Sequence, residues 1–413
     1  MQRVSNGALI PPRSSPSPAP APMPTGPVAQ PATPEGVVDS RVTVAVRPMG
    51  SVPFDGQTLP LVSPDGRYLA TQVGPTPAWE TIAALVGASP SRTRVEVYDL
   101  NEEPPKPVAL RTEPGLLLGR DATDEGALVE SQRPDGSRWI GFFRWDSGQV
   151  DWLVQGPDVN AHAVLGDAGE LVFTRRAVDS PDAALVLRTA TGAERVLTAP
   201  GTHAAFPVMA ASGAAAMCFA RTGAGMECLV LALAEGVSGA PVLARRKIAN
   251  TFDAGLAYQS VASLQPAHPV PAGPVLFHHA PLGRMVMLDA ATAELVTLAE
   301  KSIAGCRDPN APPGVDACFL TTPRGLAHQR IITRDAGRTA LPESRVLAES
   351  WVARPTGAER RPFVLIGPGP ARGDTPTLQL AAMAIVPPDT AQTGTTAPET
   401  KSPGNRNLHG GRQ

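Results

Sequence analysis

Aromatic side chains are scarce in this chain of 413 residues: 10 Phe, 5 Trp and 3 Tyr. A buried core must therefore be filled largely by Ala, Val and Leu. Lysine appears four times against 32 arginines. The net charge is −2, which excludes a global field steering nucleic acid or an anionic membrane toward the protein. Long apolar runs are missing too. The nearest, Ala204–Ala220, is rich in Ala, Gly and Ser and contains Pro207, so it falls short of the ~20 strongly apolar residues of a spanning helix. The first ten residues have neither an apolar core of secretory length nor a lipobox cysteine. Two locations stay open: the cytoplasm, or the bacterial envelope or periplasm if a signal segment is missing from this start.

The motifs of common chemistries are also lacking. There is no Gly-x-Ser-x-Gly elbow, no Walker loop and no dinucleotide fingerprint, so no cofactor is implied. Of the seven histidines, no pair has the spacing of a helical zinc site, and no metal site is expected. His278 and His279 are adjacent, so on a strand they would point to opposite faces.

What the sequence does have is repetition. Seven short β-rich segments recur along residues 56–386 with one internal order. The best-formed copy is Leu61-Val-Ser-Pro-Asp-Gly-Arg-Tyr-Leu-Ala-Thr71, a polar turn followed at once by a strand. Taking Tyr68, Ala127, Glu170, Ala215, Val275, Ala317 and Phe363 as the starts of equivalent second strands, the gaps are 59, 43, 45, 60, 42 and 46 residues. Two gaps hold insertions of about fifteen residues; the rest share a period that marks propellers and arrays. Copy two shows the order: Ala127–Gln132, the turn Arg133-Pro-Asp-Gly136, Trp139–Trp145, the turn Asp146-Ser-Gly148, then Val150–Val154. Short strands at regular spacing with Gly/Asp turns make an all-β meander.

The fold expected is all-β: a seven-bladed β-propeller of four-stranded antiparallel blades. Copy seven lacks a clear fourth strand, and the chain before copy one offers Val42-Thr-Val-Ala-Val-Arg47. This N-terminal strand is expected to close the last blade. The boundaries follow: a disordered Pro-rich arm at 1–41, the propeller at 42–387 and a disordered polar tail at 388–413. Ten prolines in the arm favour extended polyproline conformation.

The segment Ser63-Pro-Asp-Gly-Arg-Tyr-Leu-Ala70 resembles the WD40-like (PD40) repeat of TolB-type β-propellers. Gly166-Asp-Ala-Gly169 keeps the Asp and the last Gly. The motif has a local reason: Pro presets φ, Asp caps the turn, and Gly takes the position at φ > 0. It therefore reports fold rather than activity. The resemblance implies a binding role associated with the bacterial envelope.

In a meander blade the loops between second and third strands share one rim with the connections between blades. A basic residue follows the second strand in five copies: Arg133; Arg175 with Arg176; Arg221; His278 with His279; and Arg324. A closed ring would set them around one opening as a surface for an acidic partner, since Arg forks suit carboxylate or phosphate. Solvated loop starts in an Arg-rich chain would give the same pattern without function. The insertion Pro77–Gly87 reads as one or two helical turns, with Trp79, Ile82, Leu85 and Val86 at helical spacing. They either pack on the rim or form a knob for a partner.

The cysteines fall in two pairs, each centred on a loop: Cys218 with Cys228, and Cys306 with Cys318. Both pairs are candidate disulfides, with buried free thiols as the other reading. The function expected is a non-catalytic binding or scaffold propeller, a monomer, for a protein or carbohydrate partner. The alternative is a hydrolase or lyase with a site at the channel mouth, which two or three carboxylates and a His converging there would mark.

Overall fold

The structure, a computed structural model, describes residues 42–54, 60–73, 92–166, 168–199, 201–209, 215–222, 225–233, 242–249, 274–279, 284–289, 295–302, 304–308, 310–311, 316–334, 337–372 and 375–386. These residues form strands and turns and no α-helix. The arm, the tail, and the insertion carrying Trp79 lie outside the described residues.

The first strand, β1 (Thr43–Pro53), stands apart from those that follow it in the chain. A first meander comprises β2 (Leu61–Val62), β3 (Tyr68–Val73), β4 (Arg92–Asp99) and β5 (Lys106–Pro114). Next come β6 (Leu116–Ala122), β7 (Gly126–Gln132), β8 (Arg138–Arg144) and β9 (Val150–Val154). After them run β10 (Val159–Leu165), β11 (Leu171–Arg176), β12 (Ala184–Arg188) and β13 (Glu194–Val196). One parallel bridge, Val159 to Arg138, joins these two quartets into an eight-stranded sheet.

The chain continues through β14 (Ala204–Met209), β15 (Ala215–Thr222), β16 (Gly225–Ala232) and β17 (Val242–Ala249), again four strands in sequence order. Three described strands follow: β18 (Pro274–His279), β19 (Arg284–Asp289) and β20 (Leu295–Glu300). Then come β21 (Ala304–Arg307), β22 (Asp316–Thr322), β23 (Gly325–Arg334), β24 (Gly337–Ala340) and β25 (Ser344–Leu347). β24 and β25 pair in series along the same edge of β23, so two short strands divide the outer position. The last strands are β26 (Val352–Pro355), β27 (Phe363–Arg372) and β28 (Thr375–Val386).

The last sheet has the order β1-β28-β27-β26. The N-terminal strand therefore supplies the fourth position beside the C-terminal one, with Thr43 opposite Val386 and Pro53 opposite Thr377. The strand reaches six residues beyond Arg47, because Met49 and Val52 turn into the core at 3% and 1% exposure.

Second strands lose the usual in–out alternation. All seven residues of β7 are buried, and so are the first five of β3. A sheet covered on both faces has no polar side to alternate with. Outer strands differ: β5 is exposed or half-buried throughout, and Val46, Val108, Leu110, Val196 and Val242 stand exposed on β1, β5, β13 and β17. Each core cluster joins two successive sheets. Leu61, Ala70 and Val97 pack against Leu116, Val129 and Phe143. Cys306 and Phe319 pack against Phe363 and Leu365. The last sheet packs on the first, Val364, Ile366 and Leu380 meeting Val62, Leu69 and Leu100. Four-stranded sheets stacked face to face, with the last returning to the first, define a β-propeller arrangement. Small residues such as Ala70, Ala127 and Ala216, all fully buried, fill these wedges in place of aromatics.

Polar side chains tie each sheet to the next. Gln72 on β3 accepts from the Leu118 amide through Oε1 at 2.7 Å. Glu130, the comparable residue of β7, accepts from the His162 amide at 2.6 Å. His162 has φ +57° at a bulge in β10, and Phe206 has φ +55° at the matching bulge in β14. Their rings lie 3.9 Å apart. Bulges free an inner-strand amide from its ladder, and the neighbouring sheet supplies an acceptor.

Of the two readings of the cysteines, the described thiols take the second. The β15–β16 register sets Cys218 opposite Leu229 and Cys228 opposite Phe219. The β21–β22 register sets Cys306 opposite Phe319. In the backbone register each pair misses direct opposition by one residue. Cys218, Cys306 and Cys318 are buried free thiols.

Candidate functional site

The basic residues expected on one rim do occupy comparable places. Arg133 follows β7, Arg175 and Arg176 end β11, Arg221 lies near the end of β15, His278 and His279 end β18, and Arg324 follows β22. The side chains of Arg221, His278 and His279 lie outside the described set; in the backbone register of β18 and β19, His278 pairs with Met285 and His279 with Arg284. The others are spent differently. Arg324 is exposed, its amide bonded to Thr322 Oγ1. Arg176 is buried and donates from Nη1 to the carbonyls of Ala177, Val178 and Ser180, pinning its own loop. Arg175 grips Glu194 with both terminal nitrogens, at 2.6 and 3.2 Å, and donates from Nε to Asn160 at 2.7 Å. Of these, Arg175 has its charge matched by Glu194 within its own sheet, and Arg176 is tied to its own loop.

Arg133 sits in the most elaborate setting. Its guanidinium lies 3.9 Å above the Trp139 ring and 5.0 Å from that of Trp152. The two indoles meet edge to face at 6.0 Å. Both rings are half-buried, so part of each faces solvent. Trp139 is fixed by a bond from Nε1 to the Gly156 carbonyl. Trp152 fits because residue 141 is glycine: a Cβ there would come within 2.8 Å of the ring carbon Cε3.

The preceding sheet completes the cluster. Glu113 on β5 holds Arg111 at 2.8 Å and Arg133 at 3.3 Å, and Ser131 Oγ reaches it at 3.5 Å. Cation–π contact, aromatic contact and ion pairs lock a guanidinium against two indoles before any ligand arrives. The sequence reading named Arg133 but not its two Trp partners. The available signal was alternation: Trp139 and Gly141 share a face of β8, and Trp152 lies opposite Gly141.

A second cluster lies on the β21–β23 sheet. Cys306, Phe319 and His328 form one cross-strand row. His328 Nε2 meets Asp308 Oδ2 at 3.0 Å with both side chains buried. Phe319, with its ring 4.9 Å from that of His328, stands between the thiol and the imidazole. Two strand spacings, about 10 Å, separate the Cys and His positions, too far for a nucleophile–base pair. Burial pushes the Cys306 thiol up to about 12, and the nearby Arg354 charge opposes that rise only weakly. Asp308 instead anchors its loop, accepting from the Asn310 amide. Among the described residues no group of three His, Cys, Asp or Glu side chains is placed to hold a metal, and no helix is long and apolar enough to cross a membrane.

No family model and no curated protein matches the sequence. Solved structures similar to this chain are TolB-like and other β-propellers. TolB from Acinetobacter baumannii is 11% identical, with 83% of this chain and all of that one covered, at a TM-score of 0.34. A putative TolB from Agrobacterium tumefaciens is 14% identical over 62% of this chain and 88% of its own, at 0.38. Sqt1 from Saccharomyces cerevisiae is 14% identical over 79% and 83%, at 0.41. At such scores the fold argument rests on the strand pairing described above.

Proposed function

We propose that this chain is a non-catalytic binding β-propeller that docks a protein partner at the Trp139–Arg133–Trp152 groove. We read its sheets as seven blades: β2–β5, β6–β9, β10–β13, β14–β17, the blade containing β18–β20, β21–β25, and β26–β28 with β1. The ring spans 42–387. The observation that carries the docking proposal is the guanidinium held 3.9 Å over one indole and 5.0 Å from another, with both rings half-buried.

Trp and Arg are the residue types on which interface energy concentrates, and a preset side chain loses little entropy on binding. Arg133 and Arg175 are already paired with Glu113 and Glu194, so charge tunes specificity more than it supplies affinity. The experiment is quantitative affinity capture from the source cells with the full chain and with a Trp139→Ala/Trp152→Ala variant of unchanged circular dichroism. The proposal expects proteins recovered by the first to be lost by the second. Equal recovery refutes it.

A further inference from the structure

Two arginines are buried with the same edge of the guanidinium left without a hydrogen-bond partner. In both Arg138 and Arg354, Nε and Nη2 are enclosed and unpaired. Arg138 is nevertheless neutralised, since its Nη1 meets Glu130 at 2.7 Å. Arg354 is not. It is 5% exposed, and no carboxylate among the described residues pairs with it. Its strand, β26, runs beside β21, whose Cys306 thiol is near enough to act on its charge. Along β26 and one residue beyond it, Val352, Arg354 and Thr356 alternate onto the face turned to the first sheet, where Val352 packs and Thr356 meets Gly66.

A buried charge without a partner is strongly unfavourable, and arginine does not shed its proton to escape. Burial lowers its affinity for that proton to about 10, which still leaves it charged at neutral pH. A water molecule would satisfy hydrogen bonds without balancing the charge. The Nε–Nη2 edge presents two parallel N–H groups, the fork that meets two coplanar oxygens of an oxyanion.

We propose that Arg354 is the anchor of a buried receptor for a small oxyanion, a carboxylate or a phosphate, bound bidentately by the Nε–Nη2 edge beside β26. The site is separate from the Trp groove and does not depend on it. Its occupant supplies the counter-charge that the described residues do not, as Glu130 does for Arg138.

Thermal unfolding of the full chain tests this, with acetate, inorganic phosphate or chloride titrated at constant ionic strength. A saturable rise of roughly 2–5 °C is expected with one of the two oxyanions and not with chloride. The oxyanion that saturates at the lower concentration identifies the class. Arg354→Lys keeps a charge but loses the fork, and Arg354→Met removes both; each is expected to abolish the saturable rise. Arg354→Met is also expected to fold, because an apolar side chain of similar volume replaces an unpaired charge. No saturable rise in the native chain, an equal response to chloride, or an unchanged response in both variants overturns the proposal.

Discussion

The guanidinium of Arg361 donates through Nη1 to the carbonyl oxygen of Gly66 at 2.7 Å, across 295 residues of sequence. Its Nη2 reaches Asn101 Oδ1 at 3.0 Å, and beside it the Gly357 amide donates to the Pro64 carbonyl at 2.6 Å. The loop between β26 and β27 thus grips the Ser63–Arg67 turn of the first sheet. That turn in turn donates the Asp65 amide to Asp124 of the second sheet at 2.8 Å. Arg361→Met is expected to cost about 1–3 kcal/mol, since it removes charge-assisted bonds and leaves acceptors behind. Urea unfolding measures this; an unchanged midpoint contradicts the clamp.

The same contact sets the outcome of a change in the turn. Gly66 has φ +69°, and a Cβ there would lie 3.1 Å from Thr356. Gly66→Val combines backbone strain with a clash against the clamping loop, for about 1–3 kcal/mol. A denaturation midpoint equal to that of the native chain would falsify this.

Removing the latch strand should weaken the whole domain. Deleting residues 1–53 takes away β1 with Met49 and Val52, whose burial is worth about 3–6 kcal/mol together. It also bares the edge of β28. Deleting residues 1–40 leaves β1 whole. The longer truncation is expected to melt well below the shorter one, and equal melting temperatures refute the latch.

The buried thiols make a prediction in pH. Burial pushes Cys218 and Cys306 up from 9.0 to about 12. Above 9.0 the unfolded chain releases these protons and the folded chain keeps them. Stability from this source is therefore intact below 9.0 and falls as pH rises toward 12. Replacing both with Ala should flatten that alkaline decline. In the native state Cys218, Cys306 and Cys318 should react with a thiol reagent only as fast as the protein opens; immediate labelling of all three contradicts their burial.

The fold was legible where residues act locally. Ser63-Pro-Asp-Gly66 and Arg133-Pro-Asp-Gly136 specify their turns through their own side chains: Ser63 Oγ donates to Asp65 and Ser137 Oγ to Asp135, each at 2.6 Å. The missing fourth strand of copy seven pointed to Val42–Arg47, which takes in the first half of β1. The cysteine pairing was beyond reach, because the β15–β16 turn pairs Thr222 with Gly225 and shifts the centre by half a residue. The roles of the rim arginines were also hidden. Glu113 comes from another sheet, Glu194 from another strand, and neither is signalled by its spacing. Trp152 depends on a glycine in the neighbouring strand.

The most direct measurement is site-specific photo-crosslinking in the source cells, with the photoreactive residue placed at Trp152 and, separately, at Arg67 on the opposite rim. The account predicts a discrete adduct with a protein partner from position 152, competed by excess unlabelled native chain, and none from position 67. Adducts from position 67 alone, or the same adducts from both, would contradict docking at the Trp139–Arg133–Trp152 groove.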